Sequence, residues 1–120
     1  MSNPNIVSVS NILGKTVGQA VTTSASAIVT NSSSSGKIFK INSLIISNVD
    51  GTNIAEITAT VYKNQTTEFH LAKTISVPIN ATLVLISKDT SIYLEENDSI
   101  RLSANINSDL EAVCSYEEIS

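Results

Sequence analysis

The sequence has no tryptophan, one cysteine, one histidine, two prolines and four glycines in 120 residues, and each scarcity removes a class of function. Cys114 has no partner for an internal disulfide, and its apolar neighbours suggest a small buried hydrophobe. One Cys and one His cannot supply the three or four ligands of a zinc site unless carboxylates dominate it. The glycines do not cluster, so there is no phosphate-cradling loop. Tyr62, Tyr93 and Tyr116 are too dispersed to form a stacked sugar platform. Lys and Arg number seven, spread singly in a chain of net charge −4, so no basic stripe tracks a nucleic acid. No segment approaches the ~20 apolar residues of a membrane span. The opening residues have neither a basic region nor a continuous apolar core, so the expectation is a protein made in the cytoplasm without export by a signal peptide. No cofactor is expected, and neither nucleic acid nor membrane is expected as a partner.

What the sequence has in abundance is β-branched and small polar residues. Ile (16) and Val (10) outnumber Leu (8), and Ser, Thr and Asn together make 43 residues, which favours pleated sheets over helices. Lys37 to Asn48 reads as a strand. Asp50-Gly51 then reads as a hairpin turn, because that pair readily supplies positive φ. In the second limb, Ala55, Ile57, Ala59 and Val61 alternate with polar residues, as in a half-buried strand. Further strands are expected at 25–30, 68–77, 82–87, 91–94, 99–104 and 110–116, with 82–87 buried on both faces and 91–104 forming a second hairpin. Turn signals every 8 to 15 residues or so across some eight strands mark a single all-β sandwich, of jelly-roll or immunoglobulin-like type.

Residues 1–24 differ from the 25–120 body. They hold scattered apolar side chains, two glycines and a single charge, Lys15, with no sustained period. The composition is too apolar for a solvated tail. The expectation is an extended N-terminal arm that docks on another subunit through Ile6, Val7, Val9, Ile12 and Leu13, with Tyr62 and Tyr93 as exposed contact anchors, since Tyr is favoured at interfaces. Charged residues make only 15% of the chain against roughly a quarter in an average domain. That leaves much surface to neutral polar groups or to a neighbouring chain.

No catalytic constellation emerges. His70 alternates with Phe69 and Leu71, so it faces solvent or an interface, and no nucleophile elbow accompanies it. Glu95, Glu96 and Asp98 lack calcium-loop spacing and read as a solvated turn. An enzymatic role is not expected.

The motifs Lys40-Ile-Asn-Ser-Leu-Ile-Ile-Ser-Asn-Val-Asp-Gly-Thr52, Leu71-Ala-Lys-Thr-Ile-Ser-Val-Pro78, Ile92-Tyr-Leu-Glu-Glu-Asn-Asp-Ser-Ile100 and Leu110-Glu-Ala-Val-Cys-Ser-Tyr-Glu-Glu118 resemble small virion structural proteins of marine tailed phages, of the cyanophage and pelagiphage kind. The likeness spans residues 25–120. It implies a non-enzymatic β-sandwich located in the virion, decorating or cementing the capsid, with a neck, tail or fibre accessory of receptor- or glycan-binding role as the alternative. The implied partners are the chain itself, as a homo-oligomer such as a trimer, and other virion proteins such as the major capsid protein. Where family members often carry Gly this chain has Asn97, which also tolerates positive φ.

Overall fold

The computed structural model describes residues 4–120, so the first three residues of the expected arm lie outside the described residues. Nine strands follow: β1 (Ile12–Ala20), β2 (Ser26–Thr30), β3 (Ile38–Asn48), β4 (Ala55–Lys63), β5 (Thr67–Val77), β6 (Thr82–Ile86), β7 (Ile92–Leu94), β8 (Ser99–Ala104) and β9 (Leu110–Ile119). The only helical element among the described residues is a 3-10 turn at Lys88–Thr90. One antiparallel sheet has the order β1-β9-β3-β6, with β7 also paired to β3, and the other has the order β2-β8-β4-β5. β6 and β7 share one strand's place beside β3, so the nine strands fill the eight positions of a jelly roll. That order decides between the two sandwich types the sequence allows.

The strand alternation fixes the core. From the first sheet Ile41, Leu44, Ile46, Ala112 and Cys114 point inward, and from the second Ile57, Ala59, Ile100 and Leu102 meet them, all essentially without solvent contact. Burying each large side chain contributes about 1.5–3 kcal/mol. Cys114 is the buried small hydrophobe its neighbours suggested, and burial pushes its thiol up to about 12.

Two expected hairpins are absent. β3 and β4 lie in different sheets, as do β7 and β8, so each pair is joined by a crossing between layers. At the first crossing the backbone of Gly51 has no positive φ. Asp50 shapes that loop instead, accepting from the amides of Thr52 (3.2 Å) and Asn53 (3.1 Å). The true hairpin is β4–β5, where Asn64 and Gln65 both take positive φ, as a two-residue turn requires. The 82–87 run is also not buried on both faces: it forms the edge strand β6, and Val84 is 57% exposed.

The expected arm is corrected in the same way. Residues 12–20 are not a free extension but the edge strand β1, paired along its whole length with β9, and Val21 is fully buried in the core. A buried carboxylate secures that edge. Glu118 on β9, whose side chain is 9% exposed, takes Lys15 of β1 at 3.0 Å and Lys37 at 3.1 Å.

The loops at one end of the sandwich are knitted by two buried polar side chains. Asn31, which opens the polar loop after β2, is fully buried. It donates from Nδ2 to the carbonyls of Lys37 (2.9 Å) and Leu94 (3.0 Å), and it accepts from Ser35 at 2.6 Å. Asp98, read as part of a solvated turn, is also buried. It accepts from Lys63 Nζ (2.6 Å) and from the amides of Asn64 (2.9 Å) and Glu95 (3.0 Å). The hydrogen bond to Asp98, joined by one to Glu95, holds the Lys63 ammonium above its ordinary pKa despite partial burial. Asn97 carries the positive φ anticipated for it.

Replacing Asn31 with Ala strands the Lys37 and Leu94 carbonyls, with an expected loss of about 2–3 kcal/mol in denaturant unfolding; Ser33→Ala in the exposed part of the same loop should stay within about 0.5 kcal/mol. A second outcome concerns pH. Burial alone would raise the Glu118 pKa, but the hydrogen bonds from Lys15 and Lys37 outweigh it and leave the carboxyl below its ordinary value. The stabilisation is therefore complete above the unfolded carboxyl's pKa, about 4.3, and is lost as pH falls through the folded value. Unfolding curves from pH 7 down to pH 3 should show the wild type losing about 1–2 kcal/mol that Glu118→Gln has already lost at pH 7, the figure being modest because both lysines reach solvent.

Candidate assembly surfaces

A two-layer sandwich cannot hide four strand edges. β1 lies over β2 on one side of the molecule and β5 over β6 on the other. Unpaired edges present free backbone donors and acceptors, which natural proteins guard with charge, bulges or short strands.

The β5/β6 side is the more open. Phe69 pairs with Val61 and Ile75 with Ile57, so both belong to the inward row of their sheet, yet Phe69 is 60% and Ile75 42% exposed. The shorter β6 opposite does not cover them. Leu71, Leu83 and Leu85 are half-buried at the lip of the same seam. Thr74 adds a bulge with φ of 48°, its amide donating to the Thr58 hydroxyl at 3.0 Å. In the sequence Phe69, Leu71, Ile75 and Val77 fall at odd positions that alternate onto one apolar face, which does not reveal that Phe69 and Ile75 stand at its uncovered rim. The available signal was Lys73, a charge breaking the apolar face of the same strand, as edge strands do.

The opposite side is led by β1, whose nine residues carry one charge, Lys15. That charge is drawn back onto Glu118, and the hydrogen bond and attraction to Glu118 raise the Lys15 pKa. Ile12 and Leu13 are exposed at the start of this strand.

Residues 4–11 stand outside both sheets and form a hook. It is held at the end of β9 by Ser10 and Asn11 amides donating to the Ser120 carbonyl (2.7 and 3.0 Å), while the Ser120 amide donates to Asn11 (2.9 Å). Inside the hook the Val7 amide donates to Asn5 Oδ1 at 3.0 Å. Ile6 is exposed, Val7 is 91% exposed and Val9 is half-buried. Between the hook and the sheet lies a cleft of about 430 Å3 bounded by Pro4, Ile6, Ile38, Tyr93 and Glu95. The structure thus brings together two of the expected contact residues, Ile6 and Tyr93, and leaves Tyr93 partly exposed.

Tyr62 departs from the expectation. It is half-buried on the outer face of the other sheet, with the Arg101 guanidinium 3.9 Å above its ring, a cation–π contact that occupies the ring instead of leaving it as a free anchor. His70 stands exposed opposite Thr60. Among the described residues, no group of three or more His, Cys, Asp or Glu is placed to hold a metal ion. No helix among them is long and apolar enough to cross a membrane.

No protein-family model matches the sequence. No curated protein matches it either. Among solved structures, the chain is similar to a protein of Bacillus endospore appendages, a family of disulfide-linked pili, at 16% sequence identity and a TM-score of 0.54, over 91% of this chain and 88% of that one. At that identity the likeness shows a shared fold.

Proposed function

We propose that the chain is a non-enzymatic structural subunit that joins copies of itself through the two open sides of its sandwich. The observation that carries this reading is the β5/β6 side, where inward-row Phe69 and Ile75 stand uncovered beside an unpaired strand edge. The β1/β2 side of a second copy supplies what is missing: a long, nearly uncharged edge with Ile12 and Leu13 exposed. Joining unlike sides is a head-to-tail contact, which yields a ring or an open row and not a closed pair.

The hook adds a second attachment. Exposed Ile6 and Val7 gain up to about 1.5–3 kcal/mol each on burial against a neighbour, and half-buried Val9 less, before ordering costs. The endospore pili that share the fold are disulfide-linked. Here the sole cysteine has no solvent contact and burial pushes its thiol up to about 12, which argues against a disulfide through Cys114 as the link between copies. The finer reading, a phage virion component that decorates or cements the capsid, rests on the sequence motifs of residues 40–118. The fold likeness to a pilus protein supports the coarser role of a part in an assembled structure.

Phe69→Glu should raise the concentration needed for assembly at least tenfold in sedimentation and electron microscopy, while circular dichroism stays that of the folded sheet. Deleting residues 1–10 spares β1, so it should leave a folded body that no longer joins the particle. Assembly of both variants at the parent's concentration would overturn the proposal, and absence of the chain from purified virions would remove the finer reading.

A further inference from the structure

The outer face of the first sheet, which the side contacts do not use, carries a self-complementary row. Gly18, Val113, Ile45 and Val84 are successive cross-strand neighbours on β1, β9, β3 and β6. They alternate with core residues and so point away from the core. Val84 is 57% exposed and forms a knob at the β6 end. At the β1 end Gly18 forms a hole, bordered by a shallow groove of about 280 Å3 that also touches Ala20, Glu111 and Val113.

Gly18 is not required by its own strand. Its φ is not positive, and an added Cβ would rest 3.6 Å from the Ala112 carbonyl and 3.9 Å from Val113 Cγ2, in ordinary contact. A glycine inside a strand weakens it and often marks a place where another chain approaches closely. The flanking rows are equally suited to contact. Thr16 and Ser115 hydroxyls bond each other at 3.1 Å, as do those of Ser47 and Thr82. Much of their polar capacity is thereby met within the face. Across these rows Glu111 is the one ionisable group, with Lys40, Glu117 and Tyr93 farther along the same outer face, while the outer face of the other sheet holds Glu56, Glu68, His70 and Arg101.

We infer that this face binds the same face of a second copy about a two-fold axis parallel to the strands. That operation reverses the row, so Val84 of each copy enters the hole at Gly18 of the other and Val113 meets Ile45. In the next row Glu111 faces the Ser47 hydroxyl. With knob and hole at opposite ends the row fits its own copy, and the one like-charge contact is between the two Glu111 side chains, which flank the axis about one strand spacing apart and weaken the pairing. Three to four strands at about 4.8 Å spacing and three rows give a footprint of roughly 400 Å2 per copy. The total of roughly 800 Å2 is below the ~1,200 Å2 of a stable interface. Isolated subunits therefore pair weakly, and the contact acts between rows of subunits already aligned, where many copies engage together.

The test is run on the Phe69→Glu chain, which disables the side contact, so that its failure is separate from that of the assembly reading. A nitroxide is placed on Ile79→Cys, exposed just before β6 and outside the three rows, Cys114 being inaccessible, and mixed with 15N-labelled chain that carries no nitroxide. The expected result is concentration-dependent broadening of amides in β1 around Gly18 and Ala20, retained with Val84→Ile and reduced at least fivefold with Val84→Glu. Broadening centred on β6, spread evenly over the surface, absent, or indifferent to Val84→Glu overturns the inference.

Discussion

The first sheet depends on β9. That strand hydrogen-bonds to β1 on one side and β3 on the other, while Leu110, Ala112 and Cys114 fill the core beneath. Removing its ladder would leave β1 with no partner in its sheet and β3 with only the short β6 and β7. The same strand carries Glu118, which draws two lysines from separate segments onto one carboxylate, and is followed by Ser120, which holds the hook. β1 is joined to its sheet through these ten residues, whereas β2 is held by β8 in the other layer.

The second organising device is polar. A jelly roll crosses repeatedly between layers, and its crossings leave backbone groups that no sheet satisfies. Asn31 and Asp98 meet that demand at one end, each serving several partners from different loops. The low dielectric around them makes such bonds strong when complete and costly when broken. The loops at that end are therefore part of the rigid body, while the β1/β2 and β5/β6 sides leave strand edges unpaired.

The sheet class and most strand positions were legible because inward residues of β3, β4, β8 and β9 alternate cleanly. Layer assignment was not. Asp50-Gly51 carries the same local turn signal whether the next strand pairs with β3 or crosses to the other sheet, and only the distant partners of β4 decide between them. Thr82 to Ser87 looked buried because it is continuously apolar, yet an edge position exposes Val84. β1 was hidden by Gly14, Gly18 and a lack of alternation, since its apolar residues are not gathered on one face and its place is set by β9. Asn31 and Asp98 were missed because a buried polar hub and a solvated turn have the same composition. Ile6 and Tyr93 were chosen as contact residues for their chemistry, and the cleft that joins them follows from the path of the hook.

The place of β9 in the chain has a consequence for biogenesis. During synthesis β1 and β3 leave the ribosome many residues before the strand that must lie between them, so the first sheet stays open until residues 110–119 emerge. Pairing between strands so far apart in sequence is slow, because the loop entropy is spent before the contacts form. A nascent chain of this design therefore exposes its stickiest edges longest, and crowding many copies on one messenger would favour premature partnering over correct closure.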